Sequence, residues 1–246
     1  MTENLLKPGE RLDDLQRNGL HIIQHPQAFR FGMDAVLLAD FAAPRRHDRV
    51  CDLGTGTGII PLLLYARENT ISADAVEIQP DMADMAARSM AMNGLNEKIR
   101  VLPGDLRSIR TLLPHARYDL VTCNPPYGKA GGTLLNPDAS KRLARHEESC
   151  AIEDVACAAA WLLQNGGRLC CVFPAARMIE LSDAMRKYRM APKRIRMVHS
   201  RVEKAAHLCL MEGMLDARPG LIIEPPLVIY DENNAYTPEL RRIYGL

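Results

Sequence analysis

The chain lacks an excess of charge of either sign: 31 Lys and Arg stand against 30 Asp and Glu, a net charge of +1. A protein that grips nucleic acid over most of its surface is far more basic, so any such partner is held by local patches. Aromatic residues make up only 5%, with a single tryptophan. No apolar run approaches the roughly 20 residues that span a bilayer. The first residues, MTENLLKPGERLDDL, are polar where a secretory leader needs an apolar stretch. The seven cysteines are odd in number and show no C-x-x-C spacing. Cys51, Cys123, Cys170, Cys171 and Cys209 sit inside apolar runs, where cysteine acts as a small hydrophobe. Disulfides and a zinc site are therefore not expected, and a reducing cytoplasm is.

What is present is a regular alternation. Gly19–His25 reads as a short strand, and Asp34 as the cap of an apolar helix, AVLLADFA. From residue 49, RVCDLG, ISADAVEI, KIRVLPGD, ARYDLVTC and RLCCVFP read as strands. The helical segments GIIPLLLYARE, PDMADMAARSMAMNG, RSIRTLL and IEDVACAAAWLLQNGG separate them, and Gly166-Gly167 is expected to close the last. The helix ELSDAMRKYRM and the strands KRIRMVHS and AHLCLMEGML follow. Continuous apolar strands separated by helices indicate a parallel sheet covered on both faces. The expectation is a doubly wound α/β fold: a seven-stranded, mostly parallel, Rossmann-like sheet with helices on both faces. Residues 1–47 are read as an extension packing on the ligand side, and 48–246 as one domain ending in a polar tail.

The loop DLGTGTG, residues 52–58, joins the first strand of the alternation to its helix. Gly54, Gly56 and Gly58 let the backbone turn sharply and let a ligand approach closely. The G-x-G-x-G spacing differs from the dinucleotide fingerprint G-x-G-x-x-G. Asp52, just ahead of the loop, would repel a pyrophosphate but suits a cationic ligand. Glu77 ends the next strand, where α/β folds place a carboxylate for ribose hydroxyls. Asp105 is a third acid at the end of the strand after that, and all three are expected on one edge of the sheet. Any one alone is an ordinary solvated strand end; three around a glycine loop point to a nucleoside with a positive centre.

A fourth strand runs into Asn124-Pro125-Pro126-Tyr127. N-P-P is common turn punctuation, but here it closes a buried strand beside the glycine loop. An amine whose lone pair is delocalised into a ring or a carbonyl is a poor nucleophile. Two acceptors, one per N–H, orient it and stabilise positive charge developing on it. The Asn124 side-chain carbonyl supplies one and the Pro125 backbone carbonyl the other. Pro126 holds residue 125 extended, and Tyr127 offers a ring for stacking.

DLGTGTG, VEI, GDL and NPPY, in that order and spacing, resemble the S-adenosylmethionine-dependent methyltransferases that act on amino groups. The resemblance implies that Asp52 and the glycine loop position the methionine part of the cofactor. It implies that Glu77 holds the ribose and that Asp105 meets the adenine amine. The segment Phe29–Phe41, the Asn136-Pro137 and Ala144–Glu147 elements, Pro225–Tyr230 and Tyr236-Thr237-Pro238 are similar to the bacterial tRNA adenine-N6 methyltransferases of the tRNA(Val) type. That family methylates the adenosine just after the anticodon. The resemblance further implies cofactor contacts from Phe31, Asp34, Leu106 and Asn124, and RNA contacts from Lys141, Arg142, Arg145 and His146. His146 has no partners at metal spacing, so no metal is expected. Lys193, Arg194, Arg196, Arg201 and Lys204 form a second basic group, with phosphate binding and ordinary solvated charge equally weighted. Methylation of another RNA at adenine N6 or guanine N2, of a glutamine amide, or a silent RNA-binding module are the alternatives. The oligomeric state is not legible.

Overall fold

A computed structural model describes residues 5–25, 32–125 and 151–246. Two short strands, β1 (Arg11–Asp14) and β2 (His21–Gln24), form an antiparallel hairpin. Helix α1 (Met33–Ala42) follows, and then the alternation that the sequence predicts. It runs β3 (Arg49–Leu53), α2 (Ile59–Arg67), β4 (Ser72–Glu77), α3 (Pro80–Met92) and β5 (Ile99–Pro103). Next come α4 (Ile109–Leu112), β6 (Tyr118–Cys123), α5 (Ile152–Leu162), β7 (Leu163–Pro174) and α6 (Met178–Lys187). A hairpin of β8 (Met190–His199) and β9 (Ala206–Leu215), short strands β10 (Ile222–Ile223) and β11 (Leu227–Val228), and α7 (Pro238–Tyr244) complete the chain.

The large sheet has the order β10-β8-β9-β7-β6-β3-β4-β5, with β11 also on β8. Strands β3 to β7 are parallel, and β9 alone runs antiparallel to both of its neighbours. The seven expected strands are all present. The two short ones share the outer edge of β8, at Arg194-Ile195 and Val198-His199.

Alternation along each strand divides the core. Val50, Leu120, Cys170 and Val172 pack with α1 and α2 on one face. Cys51, Leu53, Val121 and Cys171 pack with α5 and α6 on the other. The N-terminal hairpin is fastened to α3: the Ile23 amide donates to Ser89 Oγ at 3.0 Å, and Asn93 exchanges bonds with the backbone of His21. Arg88 adds a fork on Glu10 with both bonds at 2.6 Å.

Three local expectations need correction. The N-cap of helix α1 is Gly32, and Asp34 lies inside the first turn, its carboxyl hydrogen-bonded to its own amide. The sequence also gave no sign of β1. Helix α5 stops at Leu162 rather than at the glycine pair, and β7 begins at once. The reason lies in the neighbouring strand. Leu163 pairs with Tyr118 and Arg168 with Leu120, so residues 164–167 bulge opposite a single residue. Gly166 has φ +77°, and a Cβ on Gly167 would lie 3.0 Å from the Tyr118 carbonyl oxygen. These glycines serve a bulge, not a helix end.

At the amino ends of the strands, Arg168 is buried with two carboxylates. Its guanidinium donates to Glu212 (3.2 Å), Asp48 (3.3 Å) and the Ala42 carbonyl (3.1 Å). Arg168→Met would leave two buried acids short of a partner. It is expected to lower unfolding free energy by about 3–5 kcal/mol, read from urea denaturation.

Candidate active site

The carboxyl ends of β3, β4, β5 and β6 lie side by side, and the loops leaving them form the site. Beyond β3 the chain turns through Gly54 (φ +70°), Gly56 (φ +59°) and Gly58 (φ +85°). These left-handed values are what L side chains avoid. Gly58 also abuts α3: a Cβ there would fall 2.5 Å from Met90 Cε and 3.3 Å from Ala86 Cβ. The loop is pinned at its start by the Gly54 and Thr55 amides, which both donate to the Val76 carbonyl at 2.9 and 3.0 Å.

Glu77 holds the middle of the same loop. Its carboxylate accepts from the Gly56 amide at 2.8 Å and from the Gln79 amide at 2.9 Å, and it is 4% exposed. Each oxygen thus takes one backbone N–H and keeps a further lone pair for a hydroxyl donor.

Asp52 is completely buried on the face shared with α1 and α2. Its Oδ1 accepts from the Thr122 hydroxyl at 2.6 Å, the residue directly across on β6. Its Oδ2 and the Thr55 hydroxyl oxygen are buried, and neither has a well-formed hydrogen bond among the described residues. Native structures rarely bury such atoms without a reason. A buried carboxyl oxygen and a neighbouring hydroxyl with bonding capacity to spare, beside a glycine loop, fit a ligand bringing its own donors or positive charge. Burial pushes the Asp52 carboxyl up to about 7; the Thr122 bond and the Thr55 hydroxyl oppose this, and the nearby Glu77 adds to it. The charge expected at Asp52 from sequence is therefore only partly developed near neutrality.

A pH dependence follows. The folded chain holds the Asp52 proton between the ordinary carboxyl value of about 3.9 and about 7. Its contribution to stability is full at low pH and lost as pH rises through 7. Binding of a cation beside it requires that proton to leave. Affinity for a cationic ligand should fall about tenfold per pH unit below 7 and level off above it. Calorimetric titration from pH 5.5 to 8.5 reads the slope, which Asp52→Asn should abolish.

Asp105 is placed at the end of β5, on the expected edge, but it is engaged differently from the other two acids. Arg107 folds back on it, Nε donating to Oδ2 at 2.8 Å and the Arg107 amide to Oδ1 at 2.9 Å. That contact holds the carboxyl below the usual range. Leu106 lies beside it in a single 3-10 turn, packed against the apolar core.

Leu53 is paired with Cys123, so Asn124 follows β6 at the level where Gly54 follows β3, one strand spacing of about 5 Å away. Asn124 is partly exposed and Pro125 buried. Asp34 lies partly buried in the first turn of α1; burial raises its carboxyl, and His207 at the start of β9 acts against the rise. Phe31, Pro126, Tyr127, Lys141, Arg142, Arg145 and His146 lie outside the described residues.

Sequence reasoning missed Thr122, Thr55 and Ile78. A threonine in a strand reads as an ordinary β-former, and only the register across β3 and β6 brings it to Asp52. Ile78 is a large apolar side chain left 43% exposed directly after Glu77. The second basic group is largely consumed. Arg194 binds Glu224 and Glu212, Arg196 binds Glu239, and Lys193 reaches the Arg218 carbonyl. Among the described residues no three His, Cys, Asp or Glu are placed to hold a metal ion. No helix there is long and apolar enough to cross a membrane.

Comparison with known proteins bears on the family and the fold. The sequence pattern of the family described as methyltransferase small domain matches residues 31–194. A tRNA1(Val) (adenine(37)-N6)-methyltransferase of Tolumonas auensis is 34% identical, over 89% of this chain and 90% of its own. One from Porphyromonas gingivalis is 31% identical, over 88% and 87%. Among solved structures, a predicted O-methyltransferase from Agrobacterium tumefaciens superposes with a TM-score of 0.72 at 25% identity, covering 87% of this chain and 96% of that one. TrmN from Thermus thermophilus superposes at 0.55 with 23% identity, over 74% and 48%, and attests the fold.

Proposed function

Since the chain belongs to the methyltransferase small domain family, we propose that it transfers a methyl group from S-adenosylmethionine to the N6 amine of an adenosine in tRNA. The nucleotide is the one next to the anticodon, numbered 37 in the names of its relatives. The observation that carries the reading is the fully buried Asp52 carboxyl with the Thr55 hydroxyl beside it, one strand from Asn124. A ligand with a cationic centre on one side meets an amine-orienting group on the other.

When bound, the cofactor supplies an electrophilic methyl on a sulfonium. The chain's part is to position and to exclude. Asp52 and Thr55 take the amino-acid end, with Thr122 fixing the Asp52 carboxyl. Glu77 accepts from the ribose hydroxyls with the lone pairs its backbone bonds leave. Asp105, held by Arg107, accepts from the adenine amine, and Ile78 and Leu106 flank the ring from adjacent strand ends. Phe31 and Asp34 close the site from the N-terminal side. On this reading residues 1–47 are an extension of a single domain, 48–246, packed over the cofactor.

Asn124 and the Pro125 carbonyl accept the two N–H groups of the target amine, which aims its lone pair and favours positive charge on nitrogen. Pro126 keeps that carbonyl in place, and Tyr127 stacks on the base. No side chain has to remove the proton before attack: the amine loses it to solvent after transfer. Lys141, Arg142, Arg145 and His146 hold phosphates beside the pocket. An anticodon-loop base is already unpaired and costs less to swing out than one in a duplex. Such a substrate places the protein in the cytoplasm.

The test is transfer of tritium from labelled S-adenosylmethionine into separate pools of unmodified tRNA, rRNA, duplex DNA and release factor. Label is expected in tRNA. Label in another pool instead would overturn the substrate, and no label in any would overturn the activity.

A further inference from the structure

The cofactor residues occupy the carboxyl ends of β3, β4 and β5. Asn124 on β6 marks where the rest of that edge begins, and β7, β9 and β8 are left over. Two segments stand above this remainder: the turn 200–205 joining β8 to β9, and the tail that follows β11. Val228 of β11 pairs with His199 at the end of β8. The tail therefore leaves the sheet on the same edge as Asn124, four strand spacings or about 19 Å across.

The tail builds a stack of rings. Tyr230 and Tyr236 are 5.5 Å apart at 28°, and Tyr236 and Tyr244 are 5.8 Å apart at 16°. All three are only partly buried. Tyr244 is the inner end, where burial and its neighbours Tyr236 and Asp34 raise its hydroxyl. Tyr230 is the outer end, beside the 200–205 turn. Its backbone is fixed: the Ile229 amide donates to the His199 carbonyl at 2.9 Å and the Tyr230 amide to that of Ser200 at 3.0 Å. The turn after it is closed by Asp231, whose Oδ1 accepts from the Asn233 and Ala235 amides, both at 2.9 Å.

The cations divide cleanly. Arg194 and Arg196 are spent on carboxylates, but Arg201 makes only a bond to a neutral carbonyl, that of Asp231, at 3.1 Å. Lys204 makes no ion pair among the described residues, and Glu203 is the one acid on the same turn. Lys193 also reaches only a neutral carbonyl, that of Arg218, but it lies near the far end of β8, so the cations without a carboxylate on this edge are the two of the 200–205 turn beside Tyr230.

We propose that this corner is a docking surface for the single-stranded RNA flanking the target nucleotide, with Tyr230 stacking on an unpaired base and Arg201 and Lys204 holding the adjoining phosphates. The inference rests on the tRNA reading above. A pre-positioned ring beside two cations is the combination by which proteins hold unpaired nucleic acid without reading its sequence. Its distance from Asn124 suits a nucleotide a few positions from the target rather than the target itself.

The experiment is filter binding of an unmodified tRNA(Val) transcript across a series of salt concentrations, with no cofactor needed for the readout. Lys204→Gln and Arg201→Gln should each lower the slope of log Kd against log salt by roughly 0.7. Lys98→Gln, an exposed lysine before β5 at the opposite edge, should leave the slope unchanged. Tyr230→Leu should weaken tRNA binding about tenfold, and Tyr230→Phe should restore it. S-adenosylmethionine affinity stays at the wild-type value in all of them. Unchanged slopes for Lys204→Gln and Arg201→Gln, or Tyr230→Phe binding as weakly as Tyr230→Leu, would overturn the docking surface. Wild-type protein that methylates tRNA while every variant binds normally sinks the surface alone. Wild-type protein that neither binds nor methylates tRNA sinks the reading beneath it.

Discussion

Asn124→Ala is expected to lower kcat for methyl transfer by about 10²–10³-fold while S-adenosylmethionine affinity falls less than about tenfold. The amide is placed at the end of β6, level with Gly54, where on the proposed reading it meets the amine rather than the body of the cofactor. Its role grows as the reaction proceeds, because the N–H groups it accepts become more acidic as nitrogen takes on charge. An interaction stronger in the transition state than in the ground state appears in kcat, not in KM. Asn124→Gln keeps the acceptor but moves it by one methylene, and misplacement on the order of 1 Å costs about 10²-fold. Single-turnover assays beside cofactor titrations separate the two quantities. Loss of cofactor affinity equal to the loss of rate would assign Asn124 to the cofactor alone.

The second large effect is at Glu77. Glu77→Ala should raise the Kd for S-adenosylmethionine by about 10²–10⁴-fold, since hydrogen bonds to a charged acceptor contribute about 1.5–3 kcal/mol each and the proposed reading gives this residue two ribose hydroxyls. The loss has a second source. The Gly56 amide donates to this carboxylate, so without it the glycine loop is no longer held at its centre. Glu77→Gln distinguishes the two: its carbonyl can accept from one amide, but its NH₂ cannot accept from a hydroxyl. Titration calorimetry on both variants should show the glutamine intermediate. Wild-type affinity in Glu77→Ala would remove this residue from the cofactor site.

These expectations rest on features that differ in how far the sequence alone reveals them. The parallel sheet was legible because β3, β4, β6 and β7 are buried on both faces and carry no alternation to confuse with an edge. The glycine loop and Glu77 were legible because each sits at a strand end with a spacing that chemistry demands. The Asp52–Thr122 bond was not, because it joins residues 70 apart and depends on strand register. The start of β7 at Leu163 was hidden by a glycine pair that marks a helix end more often than a bulge. The basic group at 193–204 shows the limit from the other side: its composition suggested one patch, and ion pairing with Glu212, Glu224 and Glu239 splits it into a structural part and a free part.

Mapping the modified nucleotide tests the central claim most directly. An unmodified tRNA(Val) transcript is incubated with the protein and S-adenosylmethionine, digested to oligonucleotides and analysed by mass spectrometry. The account predicts one added methyl, on N6 of the adenosine next to the anticodon, absent with Asn124→Ala. A methyl on a ring nitrogen, a ribose oxygen or a guanine would contradict it.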